Sequence, residues 1–163
     1  MKAKDIQFSI LKVRDTYFYI NENLNMPDRL GEITVGINPT LGFKREENLV
    51  VLTINVVFLY GEMEYLPENI LLSTTTQNIF EIPALNDFFN DGDILVLPRE
   101  LITTLLSLSI SHSRALALKN SAGSTYEKVV IPVINAAEAA RTFFPYMFEG
   151  DTSNVVVDKV DSK

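Results

Sequence analysis

The residues best suited to chemistry in this chain are few, and they lie far apart. His112, the only histidine, lies between Ser111 and Ser113, as it would in a serine–histidine pair. Adjacent residues of a helix point about 100° apart, so this spacing does not present either hydroxyl to the imidazole. A histidine that packs or forms a hydrogen bond at an interface is therefore the better interpretation.

Asp91, Gly92 and Asp93 resemble the centre of a calcium-binding loop. If Gly92 takes the sixth position of such a loop, Phe89 and Pro98 fall on the third and twelfth positions, which require oxygen ligands. The calcium interpretation therefore fails. The sequence also lacks GxGxxG, GxxxxGK[ST], GxSxG and HExxH motifs, and it contains no cysteine. We predict no catalytic residue, no metal site, no cofactor and a protein that is not an enzyme.

The charge of the chain is unevenly distributed. The 163 residues carry a net charge of −7, and residues 15–100 contain fourteen acidic and four basic residues. Residues 1–14 contain one acid and four bases. Phosphate backbones need basic surfaces, so a nucleic acid is not the expected partner. The acidic middle either forms a solvated face or steers a basic partner.

The hydropathy of the chain argues against a membrane-inserted protein. The most apolar stretch, 49–60, is too short to span a bilayer. Residues 1–4 are not followed by the apolar run of a secretory signal peptide. The absence of cysteine agrees with a reducing compartment. We therefore predict a cytoplasmic protein without membrane insertion.

The first half of the chain has the residue pattern of β-strands. β-branched and aromatic residues dominate 7–20, alternate with polar residues over 33–37, and fill both faces of 49–60. A fourth strand is expected over 69–82. The segment 7–20 forms one long strand or two strands joined at Arg14–Asp15. Short turns between these segments favour an antiparallel meander.

The second half of the chain has the period of helices. Pro98 suits the first turn of a helix that runs to about Asn120. Its apolar residues form two stripes about 100° apart, one of Leu101, Leu105, Leu108 and Ala115 and the other of Ile102, Leu106, Ile110 and Ala117. This pattern predicts burial on two sides, against the sheet and against a second partner such as another copy of the chain. Asn135 is expected to cap a second, shorter helix, with Glu138 placed as in a capping box.

The apolar residues exceed what two helices covering one sheet can bury. Both faces of the predicted strands are apolar, and Phe143 and Phe144 add adjacent aromatic side chains. This surplus predicts an oligomer, an apolar binding groove, or both. We expect residues 1–148 to form a single domain and residues 149–163 to form a polar, flexible tail.

Residues 76–144 resemble the SecB family of export chaperones. The resemblance is carried by TQNIFEI (76–82), DILVLPRELITTLLSLSISHSRAL (93–116), VIPVINAAEA (130–139) and Phe143–Phe144. The family shows the same order of a strand ending in Ile-Phe, a loop, a helix opened by Pro-Arg-Glu, an extended stretch with proline, and a short helix. Weaker agreement covers FSILKVRDTYF (8–18) and GEITVGIN (31–38).

The resemblance implies an α+β fold, a four-stranded antiparallel sheet with two C-terminal helices packed on one face. It implies an ATP-independent chaperone that holds unfolded or extended polypeptide in an apolar surface groove. It also implies a homotetramer, a dimer of dimers packed through the long helix. The predicted peptide-binding residues are Ile33, Val35, Ile37, Leu72, Phe143 and Phe144, and the predicted oligomer-interface residues are Ser107, Ile110 and Ser111.

The implied partners are unfolded polypeptide clients, together with a translocase motor or an antitoxin. Asp15 matches one acidic position of the family's motor-docking surface, whereas Tyr19 and Ser73 stand at two others. Two alternatives remain open from the sequence. One is a non-catalytic adaptor of the same fold that binds one specific folded partner, and the other is a small-ligand carrier that uses the space between sheet and helices.

Overall fold

The strand-like and helix-like halves of the sequence fold into a sheet followed by a helical layer. A computed structural model describes residues 6–24, 32–61 and 66–149. The strands in this part of the chain are β1 (Ser9–Ile20), β2 (Ile33–Lys44), β3 (Leu49–Tyr60) and β4 (Ile70–Glu81). The helices are α1 (Arg99–Ser121) and α2 (Ala136–Phe143). The predicted tail lies outside the described residues from 150 onward.

The sheet is antiparallel, and its strands are arranged in the order β1-β4-β3-β2. The meander prediction is correct for β2, β3 and β4 but wrong for β1, which pairs with β4 at the opposite edge from β2. This is a Greek-key arrangement. β1 is one strand rather than two, with register shifts between Ile10 and Lys12 and between Asp15 and Tyr17. The second of these bulges lies next to Arg14–Asp15, where the sequence allowed a break between two strands.

The core lies between the sheet and α1. Leu52, Ile54 and Val56 of β3 are fully buried, whereas Thr53 and Asn55, which point to the other face, are half-buried. α1 packs against β1, β3 and β4, and α2 packs against α1. Both helices therefore lie on one face of the sheet, as the resemblance implied.

Of the two predicted stripes of α1, the one formed by Ile102, Leu106, Ile110 and Ala117 is buried throughout, and the other is buried only in part. Leu101 and Leu105 are buried as expected, but the row continues through Ser109 and Ser113 rather than through Leu108, which is half-buried. Residues four apart stack on one helix face. The hydroxyl of Ser113 donates to the carbonyl of Ser109 at 2.9 Å, so this small polar side chain satisfies itself within the helix. Small residues in this row allow α1 to lie close to the sheet.

α1 also meets the length and composition criteria of a membrane-crossing helix. Among the described residues this helix, and not the apolar stretch 49–60 of β3, meets these criteria. The core helix of a globular domain satisfies the same criteria, and nine residues of α1 are buried within this fold. The helix therefore fits the structure as a core element.

Three polar anchors fix the segments that surround the helices. The hydroxyl of Tyr126, a fully buried residue, shares its hydrogen between the carbonyls of Asn21 and Leu24, at 2.8 and 2.7 Å. Arg114 of α1 donates to the carbonyl of Ile131 at 2.9 Å. The predicted cap of α2 is confirmed, because the Oδ1 of Asn135 accepts from the backbone N–H groups of residues 137 and 138.

Candidate binding groove

The side chains of β2 that face the helices form a row of alternating apolar residues. We call this set the β2 row, and it consists of Ile33, Val35, Ile37, Pro39, Leu41 and Phe43. Val35 and Ile37 lie directly opposite Phe58 and Val56 of β3, so the row shares the face that α1 covers further along the sheet. Pro39 is buried, Phe43 is 46% exposed, and the other members are half-buried. At about 3.3 Å per residue the row is about 33 Å long.

The row is only partly covered because β2 lies at the edge of the sheet. The extensive contacts of α1 with the sheet are made with β1, β3 and β4. β2 pairs with β3 along one side, and within the described residues its other side is unpaired. The β2 row therefore combines an apolar floor with an open strand edge.

The backbone of the same residues points to that open edge. The N–H of Gly61 donates to the carbonyl of Glu32 at 2.9 Å, so the backbone of Glu32 faces β3. In antiparallel pairs, residues that bond to the partner strand alternate with residues whose N–H and C=O point away from it. The register from Ile33 to Lys44 has no shift, so the β2 row supplies the outward backbone groups. Pro39, which has no N–H, occupies one of these outward positions, as edge-strand prolines do.

α2 presents its two predicted phenylalanines in different ways. Phe144 is 5% exposed and belongs to the core, whereas Phe143 is 38% exposed at the end of the helix. Leu72 is also buried, at 1% exposure, on the same sheet line as Phe58 and Val35. The structure thus places Ile33, Val35 and Ile37 together in one accessible row and Phe143 at the surface. It places Leu72 and Phe144 beneath the surface of the chain.

An aromatic cluster closes one end of the row, and the sequence analysis missed it. The rings of Phe43 and Phe89 meet edge to face, with centroids 5.1 Å apart. The guanidinium of Arg45 lies 4.3 Å from the centre of the Phe89 ring and 2.6 Å from Asp93. Asn86 accepts from the Nε of Arg45 at 3.0 Å. Of this cluster, Phe43 could have been found from the sequence, because the apolar alternation of β2 continues past residue 37. Pro39 and Gly42 obscure that alternation.

The predicted oligomer-interface residues do not share one environment. Ser107 and Ser111 lie on the exposed side of α1, whereas Ile110 is 4% exposed and packs in the core of its own chain. Ile110 therefore offers little surface to another copy. Asp15, the predicted docking residue, pairs with buried Thr76 and accepts from the Asn120 side chain at 2.9 Å. It therefore lies on the helix-facing side of the sheet.

The candidate chemical groups have structural roles. The Nδ1 of His112 lies 2.7 Å from the Oδ1 of Asn78, a buried residue of β4. The hydroxyls of Ser111 and Ser113 donate to backbone carbonyls of α1 rather than to the imidazole. Among the described residues, no group of three or more His, Asp or Glu side chains is placed to hold a metal ion.

Among solved structures, the fold is similar to that of a Mycobacterium tuberculosis protein, the Rv1957 SecB-like chaperone in complex with a ChAD peptide from the Rv1956 HigA1 antitoxin. The TM-score is 0.50 at 11% sequence identity, and the match covers 78% of this chain and 90% of that chain. No family model matches the chain. No curated protein matches it either. The chain therefore has the SecB-like α+β fold that the sequence motifs predicted.

Proposed function

We propose that this protein is an ATP-independent, non-catalytic chaperone that holds unfolded or extended polypeptide along the β2 row. One observation carries the proposal, namely that the apolar side chains and the free backbone groups of β2 belong to the same residues. A client in extended conformation can therefore gain apolar contact and backbone hydrogen bonds at one site.

This geometry favours clients by conformation more than by sequence. Backbone hydrogen bonds are common to all residues except proline, and alternate client side chains would rest against the apolar row. Pro39 removes one donor from the middle of the edge. We expect client segments to pair with Ile33, Val35 and Ile37 on one side of Pro39, or with Leu41 and Phe43 on the other. Phe143 would contribute apolar contact from α2.

Two sources of clients follow from the SecB-like fold, protein export and the protection of an antitoxin. The structurally similar Rv1957 is described in complex with an antitoxin peptide, which supports the second source. Asp15 lies beside Asn120 on the helix side of the sheet, whereas Tyr19 and Ser73, at the other two motor-docking positions, lie on the opposite face. This separation offers less support for a motor. Within the proposal, the cytoplasm is the compartment, and a chain without cysteine is compatible with it.

The proposed assembly is a homotetramer packed through the exposed side of α1. Residues 101–113 of the helix carry no Asp, Glu, Lys or Arg, and Ser107 and Ser111 lie on its exposed side. Val133, in the segment that Arg114 ties to α1, is 90% exposed. An uncharged helix face beside an exposed valine is typical of a surface that another subunit covers.

The test combines an aggregation assay with a measurement of mass in solution. We expect the protein to suppress aggregation of a slowly refolding, unrelated protein without ATP, as a species of four chains. The variant Ser107→Glu should lower the mass to that of a dimer, whereas Lys119→Glu, also exposed on α1, should leave it unchanged. A folded protein that leaves aggregation unaffected would contradict the chaperone proposal, and an unchanged mass for Ser107→Glu would contradict the assembly.

A further inference from the structure

The sheet face opposite the helices forms a second surface, distinct from the β2 row. Strand registers align its side chains in four lines across the sheet. These lines are Gly42–Val51–Ile79–Lys12, Thr40–Thr53–Gln77–Arg14, Asn38–Asn55–Thr75–Tyr17 and Gly36–Val57–Ser73–Tyr19. We call these positions the open face, of which the fourth line is the least accessible because Val57 and Ser73 are buried, at 3% and 7% exposure.

The charges of the open face have the opposite sign to the net charge of the protein. Lys12 and Arg14 are the charged members of these four lines, whereas the chain as a whole carries −7. The next line on the same face, Lys44–Leu49–Glu81–Ser9, adds one base and one acid, so a surplus of two positive charges remains. Arg14 donates from its Nε and Nη2 to the Oε1 of Gln77, at 3.0 and 2.6 Å. The acceptor is an uncharged amide oxygen. In the described ranges neither Lys12 nor Arg14 forms an ion pair. Their positive charge is therefore not neutralised within this part of the chain.

Aromatic side chains continue the same strand from the two basic residues. Tyr17 is 52% exposed and Tyr19 is 38% exposed. From Lys12 to Tyr19 the strand extends about 23 Å. Tyrosine and arginine are enriched at the centres of protein interfaces because they combine apolar area with directed hydrogen bonds. The open-face side of β1 from Lys12 to Tyr19 therefore has the composition of an interface rather than that of an ordinary solvated strand.

The β2 side of the open face carries two glycines, Gly36 and Gly42, and packing within the chain does not require glycine at either position. A Cβ added to Gly36 or Gly42 would approach no atom closer than 4.0 and 3.9 Å, respectively, and neither glycine has a positive φ. A glycine in a strand costs stability without such a need, and it often marks a close approach by another molecule. Together with Asn38 and Thr40, these glycines form a shallow uncharged surface on the same face as Lys12 and Arg14.

We propose that the open face docks an acidic segment of a protein partner. Carboxylates of the partner would pair with Lys12 and Arg14, its apolar groups would pack on Tyr17 and Tyr19, and its backbone would approach the sheet over Gly36 and Gly42. Affinity for a phosphate backbone comes from the sum of many Lys and Arg contacts, and this face offers few, so an acidic polypeptide fits better. The proposal does not depend on the β2 row, which lies on the other face of the sheet.

A binding titration with a labelled oligoglutamate peptide at low ionic strength tests the proposal. Lys12→Glu/Arg14→Glu is compared with Lys119→Glu/Lys128→Glu, which changes the net charge equally at exposed sites elsewhere. We expect about tenfold weaker binding for the first variant and binding within about twofold of the original for the second. Lys12→Gln/Arg14→Gln provides a milder variant if the charge reversal disturbs folding.

Three outcomes would overturn the proposal. They are an absence of peptide binding, an equal loss in both charge-reversal variants, and tighter binding of a single-stranded RNA oligonucleotide through the same residues. Suppression of client aggregation should be unchanged in the Lys12→Glu/Arg14→Glu variant. Loss of peptide binding with retained suppression therefore tests the open face separately from the chaperone proposal.

Discussion

Alternate residues of β3 meet two different environments. Leu52 and Ile54 are fully buried under the helical layer, whereas Thr53 and Asn55 are half-buried on the open face. The same alternation continues into β2, where the helix-facing side chains are apolar and the opposite ones are Thr34, Gly36, Asn38, Thr40 and Gly42. One face therefore supplies stability, and at its edge an apolar binding row. On the other face Val57 is also buried, but Thr53 and Asn55 are half-buried, so the more accessible part of that face can carry recognition.

The largest expected effect is the loss of a core side chain from the helix-facing side. Leu105 of α1 is fully buried, so Leu105→Ala should lower the free energy of unfolding by about 2–5 kcal/mol. The matched variant Leu118→Ala, at a position 37% exposed in the same helix, should cost less than about 1 kcal/mol. Chemical denaturation of both variants measures the difference. Equal losses of unfolding free energy in the two variants would contradict the assignment of Leu105 to the core and Leu118 to the surface of α1.

The strand and helix positions were largely predictable because their periods are local properties of the sequence. The predicted limits 49–60 for β3 match the structure, and those for β4 and α1 differ by one residue at each end. β2 was predicted too short because Pro39 and Gly42 interrupt its alternation. The pairing of β1 with β4 depends on contacts between distant segments, which local patterns do not encode.

The sequence predicted which β2 residues share one apolar row, but not which of the other candidate residues are accessible. Ile33, Val35 and Ile37 form one row because a period of two fixes the face of every residue in a strand. Residue type alone does not separate Leu72 and Phe144, which are buried, from Phe143, which is exposed. Nor does it show that Thr74, Thr76 and Asn78 lie fully buried on the helix-facing side of β4. Those polar residues occupy core positions because the register with β3 places them there.

The second prediction concerns the place where the helix-facing side becomes accessible. Val35→Asp should weaken binding of an unfolded client about tenfold, because a carboxylate in an apolar row must lose water when the client covers it. Thr40→Asp introduces the same charge on the same strand but on the open face, so client binding should change less than about twofold. Anisotropy with a labelled unfolded protein measures both variants. A large loss of stability in Val35→Asp alone would instead make Val35 a core residue.

The third prediction concerns an anchor on the helix side, the hydroxyl of Tyr126. Tyr126→Phe removes the donor that serves the carbonyls of Asn21 and Leu24, so it should cost about 1 kcal/mol at neutral pH. Burial, with a smaller contribution from Tyr19, raises the pKa of Tyr126 above its usual value of 10.0. Its stabilising contribution is therefore complete below pH 10.0 and is lost as the pH rises through the raised pKa. Unfolding measured from pH 8 upward should show a smaller alkaline loss in Tyr126→Phe than in the exposed control Tyr17→Phe.

The smallest expected effect lies on the open face and bears on what that face is for. Gly42→Thr adds a side chain with strand preference where a Cβ meets only the carbonyl oxygen of Val51, at 3.9 Å. It should raise the free energy of unfolding by about 0.5 kcal/mol, because glycine loses more conformational freedom on folding. Gly61→Thr should instead destabilise, since Gly61 has a φ of 82°. A stabilised Gly42→Thr variant that binds oligoglutamate more weakly would show that the bare strand serves docking at the expense of stability, whereas unchanged binding would remove Gly42 from the proposed surface.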